Sequence, residues 1–407
     1  MVETNIIVGA GQAGAWATLA MREAGFAGRI LLIGEEEHRP YERPPLSKQV
    51  LVAADEPDVL YFHEERRYTE HAIETRFGAR VMAVDPAERW IELPQGERLG
   101  FDRLLFATGG RARQIDIPGG EQIRYLRTLD EARQLRRALS GCRNVVCIGA
   151  GVIGLEIASS ARARSAAVTV LEAADRAMLR ALSPEGSQYI EDLHRGAGVE
   201  LCFGVNVEAV EPDRAGGFRV LTSAGAFLTD CVVAGIGMTR NDEIAAAAGI
   251  AVDNGILVDE HGRTSTEGIF AAGDVAAFTH PLFKRRLRLE SWRHAQDHGI
   301  AVGKTMAGVE TVYDAVPWFW TDQHGVNLQV CGFPSDGVQC IRRPGKEPQA
   351  FALFHVDAEG ICVGVTAVDS PREARAGQSL IAARRPVDAS ALADPAVPLQ
   401  RIVKAAR

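Results

Sequence analysis

No cysteine occurs before Cys142. The seven present, Cys142, Cys147, Cys202, Cys231, Cys331, Cys340 and Cys362, are odd in number, scattered and never spaced Cys-x-x-Cys. That pattern argues against a disulfide framework and supplies no zinc or iron–sulfur ligand set, so most are expected to be small buried hydrophobes. Long apolar runs are missing too: none approaches the roughly 18 to 20 residues of a membrane-spanning helix. Met1-Val2-Glu3-Thr4 passes directly into an apolar strand, which leaves no room for a secretory signal, and a cytoplasmic protein is expected. Positive charge is in deficit. The formal net charge of −8 argues against nonspecific nucleic-acid binding but is compatible with a local basic patch. Nor do the ten histidines form a nucleophile–base constellation; His294 and His298 are expected to be structural or solvated.

What the chain does have is a doubled glycine pattern. Gly9-Ala10-Gly11-Gln12-Ala13-Gly14 recurs as Gly149-Ala150-Gly151-Val152-Ile153-Gly154. Each copy follows an apolar run, Asn5-Ile6-Ile7-Val8 or Val145-Val146-Cys147-Ile148, and leads into a helix-like stretch. The strand must turn sharply there, and only glycine admits both that geometry and the close approach of a pyrophosphate. Free N–H groups and the dipole at the helix N-terminus then hold the phosphates. A second apolar run ending in an acid follows each copy, Ile30-Leu31-Leu32-Ile33-Gly34-Glu35 and Val168-Thr169-Val170-Leu171-Glu172. Each acid comes about 20 residues after the last glycine, the spacing of a carboxylate that binds a ribose diol. Two dinucleotides are therefore expected on one chain.

With 407 residues and 46% hydrophobic content, the chain can bury two or three domain cores. The expected fold class is α/β, with two Rossmann-like dinucleotide-binding domains and a small α+β C-terminal domain. Residues 1–110 with 238–317 read as the first domain, interrupted by the second at 111–237. The first includes a hairpin-like region from Val81 to about residue 99, and its strand 104–106 ends in Ala107-Thr108-Gly109-Gly110. The second closes with Cys231-Val232-Val233-Ala234-Gly235-Ile236-Gly237, another strand ending in glycine where a backbone can approach a ligand. Residues 318–407 alternate apolar and polar in short stretches, such as 349–355 and 360–365, and read as a small antiparallel sheet with helical ends.

Taken with Arg43-Pro44-Pro45-Leu46-Ser47-Lys48, Tyr125-Leu126-Arg127-Thr128-Leu129, Gly154-Leu155-Glu156, Gly273-Asp274 and Pro317-Trp318-Phe319-Trp320-Thr321-Asp322-Gln323, these motifs identify a resemblance. Over essentially its whole length the chain resembles the FAD- and NADH-dependent ferredoxin reductases that serve Rieske oxygenases and cytochrome P-450 monooxygenases. These belong to the two-dinucleotide flavoprotein superfamily with a glutathione reductase-like fold. The resemblance implies that Gly9, Gly11, Ala13, Gly14, Glu35, Arg43, Lys48, Val81, Ala107, Thr108, Gly109, Arg127, Asp274 and Trp292 surround FAD. It implies likewise that Gly149, Gly151, Val152, Ile153, Gly154, Glu172, Gly235, Ile236 and Gly237 hold NADH. Disulfide reductases of the superfamily need a redox cysteine pair beside the flavin, and related oxidases and peroxidases a single cysteine in the first domain. Neither nucleophile exists here.

The residues themselves support parts of that assignment. Asp274 follows a strand at its carboxyl end, where α/β sheets bind ligands, and suits the hydroxyls of a ribityl chain; a helix N-cap is the other reading. Lys48 follows a rigid double proline, which can hold its ammonium near the flavin to stabilise negative charge, although a solvated lysine fits the same string. Glu156 comes just past the second fingerprint, and a Lys48–Glu156 ion pair beside flavin N5 is expected. Trp320 can pack at the flavin edge and shorten the path to a partner's cluster, with ordinary core packing as the other reading; core packing accounts for Trp318 and Phe319. Glu172 favours the bare ribose diol of NADH, while Arg176 can partly offset its repulsion of NADPH. The partner expected is a small 2Fe-2S ferredoxin; the basic clusters with Arg285, Arg286 and Arg288 and with Arg342-Arg343 read either as its docking patch or as merely solvated charge. A flavoprotein of apoptosis-inducing-factor type, with a signalling role, is the alternative.

Overall fold

The computed structural model describes residues 2–406. The chain divides into two compact units: one gathers the chain up to Glu42, Asp58–Arg111 and Thr239–Ala315, the other Arg43–Pro57, Ala112–Met238 and everything from Val316 onward.

The first unit is built on a five-stranded parallel sheet in the order Ile269–Ala271, Arg103–Phe106, Thr4–Val8, Arg29–Ile33, Ile73–Arg76. Its central strands are covered on both faces, so they read as continuous apolar runs; Ile6, Ile7, Leu31 and Leu32 are fully buried. Each such side chain contributes about 1.5–3 kcal/mol by leaving water. Helix Gln12–Glu23 lies against helix Trp292–Met306 with almost no side chain between them, because a Cβ on Gly299 or Gly303 would collide with the carbonyls of Ala13 and Ala17. The stretch expected to be hairpin-like is a three-stranded antiparallel sheet, Ala83–Asp85, Trp90–Glu92 and Arg98–Gly100.

The second unit contains a four-stranded parallel sheet, Val199–Phe203, Ala167–Glu172, Asn144–Ile148 and Cys231–Ala234 in that order. Helix Val152–Ala163 crosses it. Helix Leu129–Leu139 starts at a capping box made by Thr128 and Glu131 and buries Leu129, Ala132, Leu135 and Leu139 along one face. The C-terminal portion is a five-stranded antiparallel sheet, Trp318–Gln323, Val326–Gly332, Cys362–Val368, Phe351–Val356 and Gln339–Pro344, backed by helix Pro371–Ala383.

Segment Arg43–Pro57 goes with this second unit, although the sequence placed it in the first domain. The reason is local. Its short helix Gln49–Val52 packs on helices Leu129–Leu139 and Val152–Ala163, and arginines from both hold its carbonyls: Arg136 Nη1 donates to Ala53 O (2.6 Å) and Arg164 Nη1 to Leu51 O (3.0 Å). Among the described residues no helix is long and apolar enough to cross a membrane.

Candidate functional site

Both glycine fingerprints form strand–turn–helix corners. Gly9 has φ 115°, and a Cβ there would collide with the carbonyl of Ala107; a Cβ on Gly14 would collide with the carbonyl of Gly9. Those two glycines are demanded by the protein itself. Gly11 is different, since a Cβ there would meet nothing within 4 Å. It begins helix Gln12–Glu23 with no side-chain cap and no acid in the first turn, so its open side and uncapped N–H groups fit the approach of a pyrophosphate. The second corner repeats this: Gly149 is hemmed in by Gly235, Gly154 by Gly149, and Gly151 opens an uncapped, acid-free helix N-terminus at Val152 and Ile153.

In the first unit the turn 107–109 is locked to Asn241, whose side-chain amide donates to Thr108 O (3.0 Å) while Thr108 Oγ1 donates to Asn241 O (2.7 Å). Asn241 escaped notice in the sequence. Asp274 sits buried in a short turn, Gly273–Val275, directly after strand Ile269–Ala271, and makes no helix cap. The backbone before it is held by two buried histidines: Gly273 N donates to His298 Nδ1 (3.3 Å), and His294 Nε2 donates to Gly273 O (3.4 Å). Burial pushes the pKa of His294 down to about 3 and that of His298 well below its ordinary value, so both are neutral structural groups. Trp292 Nε1 donates to the Glu42 carboxylate. Glu35 is 65% exposed and reaches Arg80 at 3.4 Å. Val81 is buried in the sheet core, which leaves its backbone rather than its side chain for a ligand.

In the second unit Arg43 Nη1 donates to Arg127 O (2.6 Å). The double proline starts a 3-10 turn, Pro44–Ser47, that delivers Lys48 to helix Val152–Ala163. Lys48 Nζ stands 2.8 Å from Glu156 Oε1, and that carboxylate is 3% exposed. It is further held by Thr321 Oγ1, donating at 2.6 Å to Oε1, and by Ser47 Oγ, donating to Oε2. The expected ion pair is present, in a setting where charge-assisted hydrogen bonds are strong. Thr321 and Ser47 lay within quoted motifs, yet nothing in the sequence assigned them this role. Trp320 stacks on Trp318 with centroids 5.4 Å apart, and Trp318, Phe319 and Trp320 are all half-buried rather than core residues.

Residues 4–299 match the model of the pyridine nucleotide-disulphide oxidoreductase family, and residues 318–403 match a reductase C-terminal model. The chain belongs to the pyridine nucleotide-disulphide oxidoreductase family. It is 38% identical to the ferredoxin–NAD(+) reductase component of the p-cumate 2,3-dioxygenase system of Pseudomonas putida, over 97% of each chain. Its fold matches the ferredoxin reductase for the CYP199A2 system from Rhodopseudomonas palustris with a TM-score of 0.94 and 36% identity, covering all of both chains. It matches the reductase in the covalent putidaredoxin reductase–putidaredoxin complex with a TM-score of 0.94 and 35% identity, over 99% of each chain.

As a member of this family the protein is an oxidoreductase whose cofactors are FAD and NADH. It departs from the disulphide chemistry of the family's name. All seven cysteines are unpaired and lie in the second unit, and burial pushes the thiols of Cys231, Cys331 and Cys362 up to about 12. At the second fingerprint the Glu172 carboxylate accepts from the backbone N–H groups of Ala150 (2.6 Å) and Ala174 (2.8 Å), which fixes a negative charge at the end of its strand. Arg176, four residues on, donates to Leu182 O and Ser187 Oγ, both at 2.8 Å. Gly237, with φ 101°, faces the guanidinium of Arg180.

The basic clusters need correction. Arg343 is buried, and its guanidinium donates to Leu392 O (3.0 Å), Asp394 O (2.8 Å) and Val397 O (2.8 Å), which makes it a clamp on the C-terminal segment. Arg342 lies over the ring of Phe351 at 3.8 Å. Arg288 is largely covered, pairing with Glu290 at 2.6 Å and donating to Asp274 O, so it supports the Asp274 turn instead of a docking face. Arg286 pairs with Asp253 at 3.0 Å, and Arg285 is exposed.

Proposed function

We propose that this chain takes a hydride from NADH and passes the electrons one at a time to a small 2Fe-2S ferredoxin. It does so in the cytoplasm as the reductase component of a Rieske aromatic-ring dioxygenase or cytochrome P-450 system. The carrying observation is the buried Lys48–Glu156 pair in a protein whose first unit contains no cysteine. A fixed charge is present, and no thiol is. The relatives' names support the same reading, since they are reductase components and one was solved joined to putidaredoxin.

FAD, when bound, supplies the exchange between a two-electron hydride and single electrons. The chain's own residues position and stabilise. Gly11 and the uncapped N-terminus after it receive one pyrophosphate, and Asp274 offers a carboxylate to the hydroxyls of the same cofactor. Gly151 with its helix receives the other pyrophosphate, and Glu172 selects the unphosphorylated ribose of NADH. Lys48 presents a positive charge to the negative charge that accumulates on electron transfer, and Glu156 keeps that ammonium in one place. Single-turnover flavin reduction by NADH in Lys48→Ala and Glu156→Ala tests this role. A slowing of about tenfold or more is expected from the loss of one charge-assisted contact, and wild-type rates in both variants would remove it.

A further inference from the structure

Strand Trp318–Gln323 alternates in an unusual way. Its inward residues, Thr321 and Gln323, are polar and almost completely buried, where a strand face turned to the protein is ordinarily apolar. Their hydrogen bonds form one line. His324 Nε2 is 3.2 Å from His194 Nδ1, His194 Nε2 is 2.7 Å from Gln323 Oε1, Gln323 Nε2 is 2.9 Å from Thr321 Oγ1, and Thr321 Oγ1 is 2.6 Å from Glu156 Oε1.

The carboxylate dictates the direction of every member. Ionised Glu156 only accepts, so Thr321 must donate its hydroxyl proton there. The threonine oxygen then accepts from the Gln323 amide nitrogen, which turns the Gln323 carbonyl oxygen toward His194. His194 must therefore carry its proton on Nε2, leaving Nδ1 to accept from His324 Nε2–H. Burial pushes the pKa of His194 down to about 4, in keeping with that neutral tautomer. The half-buried end is placed by a two-residue turn, His324-Gly325, with φ 49° and 80°, and anchored where His324 N donates to Ser159 Oγ (2.8 Å) on the helix that carries Glu156.

We propose that Gln323 and His194 are positioning residues of the transfer reaction: they orient the Thr321 proton onto Glu156 and thereby hold its carboxylate toward Lys48. This rests on the reading that the Lys48–Glu156 pair serves electron transfer. Chains of aligned donors polarise one another in a buried setting, so removing a distal member weakens the contact at Glu156.

The test uses the FAD-loaded protein. Nitrogen-15 NMR of the unmutated protein at neutral pH is expected to show His194 as the Nε2–H tautomer, and an Nδ1–H tautomer overturns the proposal without any variant. Gln323→Leu is expected to slow single-turnover flavin reduction about tenfold with little change in the KM for NADH. In a Glu156→Ala background the same substitution is expected to have no further effect. An unchanged rate in Gln323→Leu, or equal slowing in both backgrounds, overturns the positioning role alone. A wild-type rate in Glu156→Ala overturns the underlying reading and the positioning role with it.

Discussion

Lys48 and Glu156, 108 positions apart, meet as an ion pair at 2.8 Å in which the carboxylate is 3% and the lysine 19% exposed. Ser47 and Thr321 complete the shell of donors around Glu156. Removing one member of a buried pair leaves the other uncompensated, at a cost of about 3–5 kcal/mol. Lys48→Ala is therefore expected to destabilise the protein toward that range, and Lys48→Ala combined with Glu156→Gln to recover most of the loss. Denaturant unfolding measures both; additive losses would show that the two side chains are not coupled.

The two kinds of glycine in the first fingerprint should separate cleanly. Gly9→Ala meets backbone atoms at a left-handed φ and is expected to cost at least about 2 kcal/mol. Gly11→Ala meets open space and is expected to leave the apoprotein within about 0.5 kcal/mol of wild type while lowering its FAD content. Full FAD occupancy in Gly11→Ala, measured by flavin absorbance per protein, would argue against a pyrophosphate at that corner.

Nucleotide choice should follow Glu172, whose carboxylate is held by two backbone N–H groups. The kcat/KM for NADPH is expected to lie at least about tenfold below that for NADH, and Glu172→Ser to narrow the gap. Equal efficiencies in the wild type contradict the assignment.

Acid should destabilise the first unit through its buried histidines. The folded-state pKa of His294, about 3, lies below the ordinary 6.5, so the unfolded chain binds the extra proton between those values. Stability is then complete above about pH 6.5 and falls as pH drops toward 3, by up to about 1.4 kcal/mol per pH unit for such a group. His294→Gln is expected to flatten this slope in thermal melts at pH 5 to 7, and an unchanged slope would assign the acid sensitivity elsewhere.

Arg285 and Arg343 should behave oppositely. Charge reversal at the exposed Arg285 is expected to slow ferredoxin reduction at low salt and to weaken its salt dependence. Arg343→Ala is expected to cost about 1.5–3 kcal/mol by releasing carbonyls of the C-terminal segment, with no change in the KM for ferredoxin. The reverse pattern would restore Arg343 to the docking face.

Both fingerprints were legible because strand, turn and helix are consecutive and the demand for glycine is local. Lys48 and Glu156 were legible as a pair only through their motifs. Ser47, Thr321, Gln323 and His194 were not, since a hydrogen bond between residues more than a hundred positions apart leaves no periodicity in either segment. Arg343 was misread although a signal existed: in strand Gln339–Pro344 it shares the inward face with Ile341, while Arg342 points outward. Charge counting ignores that alternation. Segment Arg43–Pro57 gathers with the second unit because the arginines that hold it come from helices that follow much later in the chain, which its own sequence does not show.

NADH-driven cytochrome c reduction, with and without an added 2Fe-2S ferredoxin, tests the electron-transfer function most directly. Fast reduction only when ferredoxin is present is the expected result. Slow NADH oxidation with a long-lived flavin–nicotinamide complex, unaffected by any ferredoxin of Rieske, plant or adrenodoxin type, would contradict it.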